Sequence, residues 1–342
     1  MSSVSLTTSK RIDSLTCLGY SRREAEFLCL AALHGGYFLR RQYWEFIGQE
    51  SGSAAAALLE KLQGKKHVVA RSALNQTKIY HLVSRTFFNA IGESDNRNRR
   101  EHSPLSIKAR LMTLDFVLGH PNPRYLATER EKLEYFSSVL GIPLQSLPFK
   151  RYVAVKGKST TTRYFVDKYP VFLSERETSE PRSKASFCYV DQGATTRMGF
   201  DTYLDQYAGL FLELADFELI YVADRDLLFA PAAQRFRAFW RRSGEAGNGT
   251  SGEVAGRLLQ YFEARALFEN GQMDSFTREK LIRFRNDREE FSALRYQRLY
   301  EQWIKRGGAR AALELIAPKV DSPVRPEPSF GTYLLGRSYD FF

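Results

Sequence analysis

Asp167 and Asp191 are the side chains best placed to do chemistry. Each stands at or just after the end of a short run rich in aromatic and β-branched residues, Arg163–Val166 and Phe187–Val190. Acids at the ends of neighbouring strands are how restriction-type nucleases hold a divalent ion, which with a lysine activates water for attack on a phosphodiester. Lys168 follows Asp167 directly, so Asp167, Lys168 and Asp191 form a candidate catalytic set that would need Mg²⁺ or Mn²⁺. Tyr189-Val190-Asp191-Gln192, however, lacks the further carboxylate and lysine of such a strand. Asp191 equally suits a local task, capping the turn before Gly193. On balance the chain reads as non-catalytic, with no metal ligands and no cofactor; a metal-dependent nuclease is the alternative.

Other chemistries lack their residues. Gly157-Lys158-Ser159-Thr160 resembles the end of a phosphate-binding loop, but Tyr152 occupies the place of the first glycine. A strand follows, so this stretch reads as a basic hairpin. The histidines at 34, 67, 81, 102 and 120 show no metal-ligand spacing, and His34 and His81 read as structural. No Gly-x-Ser-x-Gly elbow is present.

Charge is more informative. The chain has 342 residues and a net charge of +11, with a pI near 9.5, which favours an anionic partner, nucleic acid first. Between Lys61 and Arg110 eleven Lys and Arg face three acids, so most of the surplus sits in one window. Candidate phosphate contacts are Arg40, Arg41, Lys65, Lys66, Arg71 and Lys78; candidate groove contacts are Ser51, Ser53, Lys61 and Gln63.

The elements that must carry them are legible. Ser21 with Glu24 is a capping box opening a helix to His34, with Ala25, Leu28, Cys29 and Ala32 on its apolar face. Helices over Leu39–Ile47 and Ser53–Gln63 follow, then strands Val68–Ala70 and Lys78–Leu82 around the turn Ala73–Thr77. Three helices and a hairpin predict a winged helix-turn-helix over residues 15–92, its third helix in the major groove of duplex DNA. That helix, Ser53-Ala-Ala-Ala-Ala-Leu-Leu-Glu-Lys-Leu-Gln63, is poor in base-reading side chains, so backbone contacts should dominate. A homodimer would double them.

Residues 93–104 contain no apolar side chain and read as a linker. Leu105–Leu118 is a helix, and Thr128 with Glu131 caps another through Leu140, with Gly141 at its end. Strands at Tyr152–Val155, Arg163–Val166, Val171–Leu173, Ser186–Val190 and Phe217–Val222 mix with helices Thr202–Ala215 and Ala230–Trp240. Residues 105–242 therefore form a mixed-sheet α/β domain. After a Gly-rich loop, Ser243–Gly252, residues 253–342 form a helical region packed on it, and the aromatic tail docks on the α/β body or on a partner chain. The whole is a two-domain α/β protein. Cys17, Cys29 and Cys188 read as free thiols of a reducing cytoplasm. No apolar run approaches the ~18–20 residues of a membrane span, and no signal peptide is evident.

Two stretches resemble the replication-relaxation family of plasmid and integrative-element proteins over roughly residues 20–240: the helices and hairpin ending in Lys78-Ile-Tyr-His-Leu82, and Tyr189-Val-Asp-Gln-Gly193 followed by Tyr203-Leu-Asp-Gln-Tyr207 and Glu218-Leu-Ile-Tyr-Val222. Asp191, Gly193 and Tyr207 match the family pattern. Tyr189 stands where the family has Glu, Gln192 where it has Arg, and Asp205 near its Lys. The resemblance implies a DNA-binding regulator or accessory factor of mobile-element replication, transfer or integration, with a degenerate restriction-endonuclease-like second domain. Other mobile-element proteins would be its partners. A protein-interaction scaffold that binds no DNA is the remaining alternative.

Overall fold

A capping box does open the main N-terminal helix: the Ser21 amide donates to Glu24 Oε2 at 2.7 Å and the Glu24 amide to Ser21 Oγ at 3.3 Å. The computed structural model describes residues 7–153, 160–167, 169–174, 184–193, 196–248, 252–272, 276–291, 294–308 and 327–341. The N-terminal half runs α1 (Thr8–Cys17), α2 (Arg22–His34), β1 (Tyr37–Leu39), α3 (Arg40–Phe46), α4 (Ala54–Gly64), β2 (Val68–Ser72), β3 (Lys78–Leu82) and α5 (Arg85–Ala90). Strand β3 pairs antiparallel with both β1 and β2, giving the order β1-β3-β2. Helix α1 begins before the expected boundary and buries Ile12 and Leu15 in the same core as Phe27, Leu28, Phe38, Leu58 and Phe87. Tyr37-Phe38-Leu39, directly after Gly35-Gly36 and outside the strands expected from sequence, completes the sheet.

The expected linker is a packed brace. Asn98 is fully buried. Its amide donates to the Ala32 and Leu33 carbonyls at 2.9 and 3.2 Å, satisfying acceptors that the end of α2 leaves open. Gly36 makes room for it: at φ +79° a Cβ there would lie 2.5 Å from the Asn98 carbonyl oxygen. A polar stretch reads as solvated only when its partners are out of sight.

Next come α6 (Pro104–Gly119), β4 (Arg124–Tyr125), α7 (Glu129–Leu133), β5 (Phe149–Val153), β6 (Thr160–Tyr164), β7 (Val171–Ser174), β8 (Lys184–Asp191), α8 (Thr196–Glu213), β9 (Phe217–Ala223), α9 (Phe229–Asn248), α10 (Gly252–Glu269), α11 (Arg278–Glu290), α12 (Leu294–Lys305) and β10 (Ser329–Leu334). The capping box of α7 forms, and a π-helical turn, Glu134–Val139, carries the chain on to Leu140 before Gly141 at φ +71°. Helix α9 continues through Ser243–Asn248, where a loop was expected; glycine in a helix costs about 1 kcal/mol but does not forbid it.

The main sheet is mixed, in the order β10-β9-β8-β7-β4, with β8, β9 and β10 parallel and β7 antiparallel to β8 and to β4. Alternation sorts β8 between two cores. Ala185, Phe187 and Tyr189 face α8 and α9, whereas Cys188 and Val190 face α6. Strand β10 was expected to be part of a helical C-terminal region; Ser329–Leu334 instead adds to the sheet edge, parallel to β9. Helices α10–α12 enclose their own aromatic core of Tyr261, Phe262, Phe284, Phe291, Tyr300 and Trp303, and α12 touches α8.

Residues 111–117 of α6 are buried without a break, as in a helix enclosed on all sides. Its Leu114 enters the N-terminal core. Ile107, Leu111, Met112, Phe116 and Val117 join Tyr37, Leu39 and Ile79 to Phe172, Cys188, Val190 and Val222 of the sheet. The two halves thus share a wall rather than a tether. No helix among the described residues is long and apolar enough to cross a membrane.

Candidate functional site

The cations divide into two classes. Arg40, Lys65, Lys66 and Lys78 are exposed, as are Ser51, Ser53 and Gln63. Arg40 lies over the Trp44 ring at 4.5 Å and reaches the Gly52 carbonyl at 3.5 Å, beside the entrance to α4. Arg71 is exposed but sits 2.6 Å from Glu101, which offsets part of its charge.

Two expected contacts, both half-buried, form ion pairs within the protein. Arg41 donates to both oxygens of Asp115, at 2.8 and 2.6 Å, and its guanidinium lies 5.7 Å from the centre of the Tyr339 ring. Lys61 meets Glu24 at 2.6 Å, tying α4 to the capping box of α2. Each ion pair offsets charge that would otherwise face a DNA phosphate. Farther along the basic window, Lys108 pairs with Asp224 at 2.8 Å, so the surplus between Lys61 and Arg110 is not one solvated face.

Lys66 has φ +55°, a left-handed conformation at the end of α4, where the His67 amide donates back to the Leu62 carbonyl at 2.9 Å. Glycine is the low-cost residue there. Lys66→Gly should stabilise the fold by about 1 kcal/mol, read as a higher urea midpoint, while weakening any phosphate contact Lys66 makes.

The hairpin turn also shows how its residues are used. Asn75 and Gln76 adopt φ +55° and +56°. Leu74, 62% exposed, stands at the tip with its amide donating to the Phe341 carbonyl at 3.1 Å. The C-terminal tail therefore touches the hairpin, an association invisible to local reading.

Asp167 and Asp191 do converge, though not on adjacent strands of one sheet. Strands β5 and β6 form a separate hairpin, so Asp167 lies on the approach to β7 while Asp191 ends β8. Because β7 and β8 run antiparallel, the start of one adjoins the end of the other, and the Cys188 amide donates to the Pro170 carbonyl at 2.9 Å. Both acids line a cleft of about 430 Å³ with Tyr169, Tyr189, Gln192 and Tyr203. Lys168 lies outside the described residues, as do 157–159 of the basic hairpin.

Asp191 is buried, and both its oxygens are engaged. Oδ1 accepts from the Gly193 amide at 2.9 Å, the turn cap expected from sequence, and Oδ2 from the Tyr221 hydroxyl at 2.7 Å. Asp167 accepts from the Tyr169 amide at 3.0 Å. Tyr189 packs its ring against Tyr169, Phe200, Tyr203 and Tyr221. Among the described residues no group of three or more His, Cys, Asp and Glu is arranged to hold a metal ion.

The histidines serve the fold. His81 stacks on Tyr37 with centroids 4.0 Å apart, and its Nε2 meets the Asn98 carbonyl at 2.8 Å. His67 Nδ1 lies 2.7 Å from the Tyr20 hydroxyl. Burial, with Lys132 nearby, pushes His34 down to about 3.

No protein-family model matches the chain, and neither curated proteins nor solved structures yield a match.

Proposed function

We propose that residues 15–92 are a winged helix-turn-helix that grips duplex DNA mainly through its phosphates, and that the chain is a non-catalytic regulator or accessory factor. One observation carries this reading: the element order α2, β1, α3, α4, β2, β3 with sheet order β1-β3-β2, bearing Arg40, Lys65, Lys66 and Lys78 as exposed cations. Such a module lays its third helix, here α4, in the major groove and its hairpin along the backbone. The outward residues of α4 include Ala56, Ala57, Glu60 and Gln63, which offer little base reading. Specificity then falls to DNA shape, or to the half-site spacing of a homodimer. The α/β half is a platform for partner proteins, in the mobile-element setting that the resemblance implies.

Binding of a labelled duplex across a salt series tests this. Lys65, Lys66 and Lys78 changed together to alanine should flatten the plot of log K against log salt by roughly 2.7, at about 0.9 per lost contact. Absence of binding even at low salt would leave the protein-scaffold reading in place. Two carboxylates on one cleft favour the nuclease as second reading. Mg²⁺-dependent nicking of plasmid DNA, abolished in both Asp167→Ala and Asp191→Ala, would establish it and sink the non-catalytic one.

A further inference from the structure

A second cavity, of about 350 Å³, opens between α6, the 97–102 brace and the approach to β7. Arg97, His102, Ser106 and Arg110 line it on one side, and Asp167, Tyr169 and Gln192 on the other. The last three also line the 430 Å³ cleft, so the two spaces adjoin.

Arg110 is the unusual member. Among the described residues its guanidinium donates only to neutral oxygens, the Gly35 carbonyl at 3.2 Å and Asn98 Oδ1 at 2.8 Å. Three other enclosed arginines meet carboxylates: Arg11 pairs with Glu131 at 3.0 Å, Arg41 with Asp115, and Arg163 with Glu129 at 2.8 Å. Arg110 forms no ion pair among the described residues, and burial pushes it down to about 10. Arg97 has no ion pair there either, and its guanidinium rests 4.7 Å from the centre of the Tyr152 ring. His102 is pushed down to about 4 by burial and then by Arg110, so it is neutral at pH 7 and leaves space for an anion's charge to be met by the two arginines. Two half-enclosed arginines with no ion pair among the described residues, lining one cavity opposite Asp167, are half of a binding site.

The geometry points to a phosphate monoester as the missing half, its phosphate held between Arg97 and Arg110 and a hydroxyl-bearing organic part turned toward Asp167, as a nucleoside monophosphate would present. Guanidiniums match phosphate in forked, charge-assisted bonds. Asp167 would repel a bare anion at that end but accepts a hydrogen bond from a sugar hydroxyl, which selects an ester over free phosphate. The adjoining cleft, edged by Tyr169, Tyr189 and Tyr203, has room for a base. This site uses none of the cations assigned to duplex binding and does not rest on that reading. Its ligand is either a free nucleotide or the phosphorylated end of a DNA strand.

Thermal unfolding of the full chain at constant ionic strength separates these cases, with AMP, adenosine, inorganic phosphate, and a short single strand with and without a 5′-phosphate as probes. A saturable rise in Tm with AMP or with the 5′-phosphorylated strand, absent with adenosine and with the unphosphorylated strand, is expected. Whichever of the two acts identifies the source. Arg97→Ala should weaken the effect at least tenfold; among the described residues its side chain makes no hydrogen bond or ion pair and stacks on Tyr152, so the variant folds even where Arg110→Gln does not. The proposal fails if no phosphorylated probe shifts Tm at millimolar concentration, if Arg97→Ala responds like the wild type, or if inorganic phosphate equals AMP.

Discussion

Asp115→Ala should destabilise the protein by about 3–5 kcal/mol, the range for stripping one partner from a buried ion pair. Asp115 is 6% exposed on α6. It accepts from Arg41 twice, from Gln42 Nε2 at 2.8 Å and from the Tyr339 hydroxyl. The four groups come from α3, α6 and the C-terminal tail, so one carboxylate joins both halves and the last residues of the chain. Truncation strands a guanidinium, an amide that is 0% exposed and a phenol. Burial, and then the Asp115 charge, hold Tyr339 above its usual range, so it remains a hydrogen-bond donor at any pH the fold survives. Tyr339→Phe removes a single hydrogen bond to a charged group and should cost about 1.5–3 kcal/mol. Urea midpoints for both variants, with unchanged slopes, measure this. A loss under about 1 kcal/mol for Asp115→Ala would mean that water replaces the carboxylate and that the brace is weak.

What sequence reveals here follows the distance between partners. The Ser21–Glu24 and Thr128–Glu131 caps are legible because donor and acceptor lie three residues apart. So is the alternation of β8, since its two faces meet two cores. Arg41 and Lys61 read as available cations because their acids are 74 and 37 residues away. Asn98 reads as linker because the carbonyls it caps lie 66 and 65 residues earlier. Strand β10 turns Phe330 and Tyr333 to opposite faces, yet its parallel partner requires a crossover that no local pattern encodes. The convergence of Asp167 with Asp191 depends on β7 folding back against β8. Neither acid announces it; the aromatic strands that bring them together do.

Acidification should weaken the fold well above the usual range of carboxylate titration. His34, His67, His81 and His102 are all held below the ordinary histidine range, in each case chiefly by burial. The folded chain keeps them neutral, whereas the unfolded chain takes up protons near pH 6.5. Below that pH the unfolded state therefore binds more protons, so stability is fully present above it and declines as pH falls. The decline continues to about pH 4 for His102 and about pH 3 for His34, where the folded state itself protonates. Each such histidine contributes a slope of up to about 1.4 kcal/mol per pH unit, so His34 and His102 together approach about 2.7. Against a total stability of about 5–15 kcal/mol, two pH units suffice to remove much of the margin. Urea midpoints at pH 7.5, 6.5, 5.8 and 5.0 test this within a window where exposed carboxylates still carry their charge. His34→Leu, which leaves no group to protonate, should flatten the slope by one proton's worth. A flat profile from pH 7 to 5, or a His34→Leu slope equal to the wild type, would mean that these rings reach solvent by local opening and protonate without unfolding the core.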